Sequence, residues 1–139
     1  MKNIKTFAAK SNVSEKLIRA IVRQAGGWIT FKEMAADVAN HGADSGFNGF
    51  IYYTETAAFY ARNRPAILEY AGNMASELGE GLVEMVRNFN CLGDEFTPEE
   101  IGQTLYGSRS KHNTQVANAL AWFALEEVAR SFVNCAEAE

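Results

Sequence analysis

Residues 113–133, NTQVANALAWFALEEVARSFV, decide the fold. The stretch is too long for a strand, contains neither Gly nor Pro, and is apolar around most of its circumference. A helix of that kind belongs in the buried centre of a helical assembly. Its only adjacent charges, Glu126 and Glu127, have Arg130 at i+4 and i+3, so a salt bridge on the helix surface is the expected arrangement.

Upstream, Thr97-Pro98-Glu99-Glu100 is the strongest local signal in the chain. Thr97 is placed to cap, proline fits the first helical position, and the glutamates meet the positive end of the helix dipole. That helix is expected to end at Gly107. Before it, Leu82, Val86 and Phe89 predict a short helix over 81–90, after the Gly79-Glu80-Gly81 break. Ile67, Ala71, Met74 and Leu78 form an i, i+4, i+7, i+11 stripe that Gly79 closes. Thr54 is expected to cap a helix through Arg64, where Pro65 kinks it or opens a new one. Towards the N-terminus, Thr30-Phe31-Lys32-Glu33 has a capping layout and leads the stripe Phe31, Met34, Ala35 and Val38. Asn12-Val13-Ser14-Glu15 has the same layout and leads Val13, Leu17, Ile21 and Ala25, which Gly26-Gly27 stops.

The expected architecture is therefore all-α: a compact bundle of six to seven helices with a buried C-terminal helix. The exception is the run of residues 42–53, whose glycines mark an irregular loop while Phe47, Phe50, Ile51, Tyr52 and Tyr53 make it unusually apolar. With 139 residues, 47% of them apolar and 22% charged, one domain over 1–139 is expected, divided into a basic N-terminal helix, 1–25, and a body, 26–139. Cys91 and Cys135 read as reduced thiols in a chain with no secretory leader. No segment is long and apolar enough to span a membrane, and a cytoplasmic protein is expected.

The net charge of −4 is unevenly placed. Lys2, Lys5, Lys10, Lys16, Arg19 and Arg23 face Glu15 alone within residues 1–24, a net of +5, whereas the rest of the chain carries −9. A basic arm of this kind, with Lys10, Lys16, Arg19 and Arg23 its main members, either meets a polyanion or docks onto the chain's own acidic body. Catalytic signals are thin. There is no phosphate-binding glycine loop and no G-x-S-x-G, and neither His41 nor His112 has a second His or Cys at metal-ligand spacing. No metal or cofactor and no enzymatic activity are expected. An acid–base role for His41 with Asp44 is the weaker alternative.

Residues 41–54, HGADSGFNGFIYYT, together with residues 118–129, NALAWFALEEVA, resemble a family of small uncharacterised proteins encoded by phages and plasmids. The resemblance implies a mobile-element origin. By association it implies an inhibitor of a bacterial defence complex, of anti-CRISPR type, acting through protein–protein contacts and with a CRISPR–Cas effector as the favoured partner. The expected contact residues are Asp44, Phe47, Phe50, Tyr52, Tyr53 and Glu55, aromatic anchors beside adaptable and acidic neighbours. The alternative is a helix-turn-helix regulator using the basic N-terminal helices, although residues 31–42, FKEMAADVANHG, equip a recognition helix poorly. Nucleic acid is the less favoured partner, and a two-fold homodimer is the default if the chain self-associates.

Overall fold

The computed structural model describes residues 1–41 and 53–139, and for Tyr53 and Thr54 the backbone alone. Those residues are all-α. In chain order they form α1 (Ile4–Lys10), α2 (Glu15–Ala25), α3 (Trp28–His41), α4 (Tyr53–Glu77), α5 (Leu82–Arg87), a 3-10 segment (Phe89–Asp94), α6 (Pro98–Tyr106), a second 3-10 turn (Arg109–Lys111) and α7 (Thr114–Glu137). The chain divides into two compact units. One comprises Met1–Tyr52 and Ala124–Glu139, the other Tyr53–Phe123.

In the first unit the basic N-terminal part is two helices rather than one. Asn3 caps α1 by accepting from Thr6 N–H at 2.9 Å, and the chain breaks at Ser11. The cap of α2 is Ser14, which accepts from Leu17 N–H at 3.2 Å, and not Asn12. Asn12 and Ser14 flank the buried Val13, and the helix takes the later of the two as its cap, two residues beyond the expected one. Gly26 ends α2 with φ +104°, a left-handed conformation that glycine adopts without a Cβ clash. Its neighbour's N–H returns to Val22 O at 2.9 Å. The turn is so short that α3 begins at Trp28, two residues before the expected cap at Thr30.

The core of this unit is aromatic. Phe132 meets Phe7, Trp28 and Phe31 edge-on, with ring centroids 5.3, 5.6 and 5.4 Å apart. Such pairs add to the burial energy of the rings themselves. Leu17, Ile21, Ala35 and Val38 are buried in the stripes the periodicity predicts, and Ile18, outside those stripes, is buried as well.

In the second unit α4 is kinked where Pro65 removes a backbone donor. Asn63 leaves helical geometry at φ −117°, ψ 18°, and its side-chain amide donates to Phe59 O at 3.0 Å. The C-terminus of α4 is closed by Gly79 at φ +71°, with Glu80 N–H on Ala75 O and Gly79 N–H on Ser76 O. That closure turns Leu78 outward, so the last residue of the predicted stripe is 62% exposed instead of buried. Ala71, Ala75 and Met85 form a buried cluster, packed by Met74, Leu82, Phe89 and Phe123. The predicted 81–90 helix is shorter than expected: it ends at Arg87, and the 3-10 segment that follows holds Asn90 and Cys91 at positive φ, +47° and +58°. The cap at Thr97 is complete: its Oγ accepts from Glu100 N–H at 3.2 Å, and Glu100 accepts from Thr97 N–H at 3.0 Å. Asn113 caps α7 through Gln115 and Val116 N–H.

Candidate functional site

Of the residues expected to contact a partner, Asp44, Phe47, Phe50 and Tyr52 lie outside the described residues, as does nearly all of the segment expected to be an irregular loop. Tyr53 opens α4, and Glu55 is exposed in its first turn. His41 is exposed at the end of α3, and its expected companion Asp44 is again outside the described residues.

The basic arm is placed. Lys10 pairs with Glu139 at 3.2 Å, and the Met1 ammonium reaches the same carboxylate at 2.6 Å. These two cations hold Glu139 below the ordinary carboxylate range, the ammonium hydrogen bond being the larger cause. Part of the arm thus docks onto the acidic C-terminal end of the chain. On α2, Arg19 pairs with Glu15 at 3.5 Å. Lys16, Arg19 and Arg23, at i, i+3 and i+7, share one exposed face of that helix.

Negative charge collects in the second unit. Between residues 77 and 100 the chain carries Glu77, Glu80, Glu84, Asp94, Glu95, Glu99 and Glu100 against Arg87 alone, a net of −6. All seven acids are exposed, and Arg87 is committed to Glu84 at 3.3 Å. Leu78 stands among them between Glu77 and the Gly79-Glu80 turn, an apolar side chain in an acidic surround. On α7 the expected bridge is present, with Arg130 at 2.8 Å from Glu127 and 3.9 Å from Glu126.

A polar constellation in the second unit gives no motif, because the bonds that Tyr60 and Arg64 make in it reach residues 43–48 positions away. The fully buried Tyr60 donates its hydroxyl to Thr104 O at 3.0 Å, and burial pushes that hydroxyl above the usual tyrosine range. Arg64 donates to Gly107 O and meets Nε2 of His112 at 2.9 Å. Asn113 N–H donates to Thr104 Oγ1 at 2.9 Å. Together Tyr60 and Arg64 satisfy carbonyls that the end of α6 leaves without helical partners. The loss of solvent, then the Arg64 and Arg109 charges, hold His112 below the usual histidine value. Arginine only donates, so Nε2 accepts and Nδ1 carries the proton of the neutral ring. With its one lone pair engaged, His112 is poorly placed as a general base.

Two thiols are free: Cys91 is exposed, and the half-buried Cys135 donates to Lys10 O at 3.6 Å. Among the described residues no group of His, Cys, Asp and Glu is arranged to hold a metal ion, and no helix is long and apolar enough to cross a membrane.

One further cavity, of about 120 Å³, is lined by Asn90, Leu92, Glu95, Gln115, Asn118, Ala119 and Trp122. Asn118 is buried there, and among the described residues neither its Oδ1 nor its Nδ2 has a hydrogen-bond partner. Leaving a buried amide unpaired costs about 1–3 kcal/mol per group.

Neither the curated proteins nor the solved structures contain a match to the chain. The model of a family described as a domain of unknown function, DUF7222, matches residues 9–138, and the chain belongs to that family.

Proposed function

We propose that this chain is a non-enzymatic binding protein from a mobile genetic element. In this reading it blocks a bacterial defence complex, with a CRISPR–Cas effector as the favoured target. The observation that carries the reading is the exposed acidic stretch from Glu77 to Glu100, with Leu78 projecting from it. Effectors of this kind bind nucleic acid through basic surfaces, so exposed carboxylates steer the encounter and an apolar anchor holds the docked state. Origin and target rest on the resemblance of residues 41–54 and 118–129; the acidic stretch supports the mode of contact. The engaged lone pair of His112 is consistent with a binding role.

The test is a tagged pull-down from bacterial lysate expressing a CRISPR–Cas effector, with and without nuclease. It is repeated with Glu95→Lys/Glu99→Lys and with Leu78→Asp. Capture of effector subunits in both wild-type samples, lost in both variants, is the expected result. Capture that survives charge reversal sinks the reading. Capture only without nuclease favours instead a DNA-binding regulator that uses the basic face of Lys16, Arg19 and Arg23.

A further inference from the structure

Helix α2 buries Leu17, Ile18, Ile21 and Val22, and its opposite face carries Lys16, Arg19 and Arg23, all exposed. Arg19 is held by Glu15, but among the described residues neither Lys16 nor Arg23 has an ion-pair partner. Residues 1–32 hold seven Lys and Arg side chains against Glu15 alone, a net of +6. The turn that follows α2 adds an apolar side chain to this surface, because Ile29 at the start of α3 is 68% exposed. Lys32 lies at i+3 from Ile29, and Glu33 at i+4 is the one acid within a helical turn of it. Residues 77–100 are the counterpart in charge, with a net of −6, and they hold Leu78 at 62% exposure between Glu77 and Glu80. Among the described residues three large apolar side chains are strongly exposed, Ile29, Leu78 and Tyr106. One of them stands in the basic stretch or at its edge, and one in the acidic stretch.

We propose that the basic face of α2 is a docking surface for a second copy of this chain. Lys16, Arg23 and Ile29 of one copy meet Glu77, Leu78 and Glu80 of the other. Like surfaces repel and unlike surfaces attract, so charge selects this pairing and speeds the encounter. Ile29 and Leu78 then shed water against each other, which is the part of the contact that salt does not screen. Exposed ion pairs contribute only about 0–1 kcal/mol each, so the association is reversible and salt-sensitive. Nucleic acid fits the same face less well. Residues 33–139 carry a net of −10, which repels a polyanion, and a phosphate backbone offers Ile29 nothing apolar to meet. The association requires only the chain itself and is independent of any target in a defence complex.

The experiment is sedimentation velocity of the purified full chain, with and without nuclease, over about a hundredfold range of concentration at about 0.02 M and about 0.5 M salt. At low salt a mass above that of one chain, growing with concentration, is expected in both samples, with a return to the single chain at high salt. Lys16→Glu/Arg23→Glu and Glu77→Lys/Glu80→Lys should each weaken the association by about tenfold or more, since each reversal sets like charges against each other. All four positions are exposed and outside the ion pairs, and circular dichroism checks that the variants keep their helices. An equimolar mixture of the two variants should regain the association, because the intact acidic stretch of one meets the intact basic face of the other. The neutral variant Lys16→Gln/Arg23→Gln should fall between the wild type and the reversal. A single chain at every concentration at low salt overturns the proposal. So does association that either reversal variant retains, or that the mixture fails to restore. Association that nuclease abolishes also overturns it and assigns the α2 face to nucleic acid.

Discussion

The guanidinium of Arg64 lies 2.9 Å from Nε2 of His112, and after the loss of solvent it is the next cause that holds the ring in its neutral form. A charged imidazole would turn an N–H towards a group that only donates, so the folded protein resists protonating His112. The unfolded chain does not. With the folded value depressed below the ordinary 6.5, stability is full above that pH and falls as pH drops through it towards the folded value. Thermal midpoints measured from about pH 7.5 down to pH 5 should decline, and His112→Gln should flatten that decline. An unchanged pH profile in the variant would rule out His112 as the source of the decline.

Tyr60→Phe keeps the ring and deletes one hydroxyl. Thr104 O then stays buried at the end of α6 without its donor, at a cost of about 1–3 kcal/mol in urea denaturation. Thr104→Val should cost a similar amount by a different route, orphaning Asn113 N–H. A double variant that loses much less than the sum would show the two bonds acting as one unit.

Thr97→Ala removes one half of the capping box of α6 and should cost about 1 kcal/mol. Ser14→Ala at the start of α2 should cost a comparable amount, whereas Asn12→Ala should be close to neutral, because Asn12 is exposed and caps nothing. Chemical denaturation of the three variants separates these outcomes.

Phe132→Ala empties the point where Phe7, Trp28 and Phe31 converge. A loss of about 3–5 kcal/mol is expected, together with collapse of the near-ultraviolet circular dichroism signal of Trp28. A loss under about 1 kcal/mol would mean that the neighbouring rings close the space.

Gly107→Ala tests packing without any change of hydrogen-bonding groups. A Cβ there would lie 2.5 Å from Gln103 O, which already accepts from Gly107 N–H at 2.8 Å. Either the closing bond of α6 or the Arg64 contact to Gly107 O must shift. A thermal midpoint equal to the wild type would rule that out.

What the sequence revealed depends on how far apart the interacting residues lie. The start of α6 was legible because every group in its cap falls within four residues of Thr97. The stripes of α2 and α3 and the Arg130 bridge were legible for the same reason, since helix periodicity is local. The break at Ser11 that separates α1 from α2 was missed, because the seven residues of α1 are held as a separate helix by packing of Phe7 against the distant Phe132. The early start of α3 likewise rests on a tertiary anchor, because the Trp28 indole donates to Lys2 O at 3.1 Å. Leu78 was misjudged because the turn at Gly79 reverses the chain before the stripe completes. The Tyr60–Arg64–His112 constellation and the Asn118 cavity join segments that no spacing rule connects. The aromatic residues 47–52 remain a sequence reading alone.

The positive-φ turn at Asn90 and Cys91 has a practical consequence. It leaves the Cys91 thiol in solvent immediately beside Asn90, which lines the Asn118 cavity, while the half-buried Cys135 thiol is turned to Lys10 O. A maleimide fluorophore should therefore attach first at residue 91, with no need to engineer a cysteine. Its emission would then report events at the mouth of that cavity from a single, built-in labelling position.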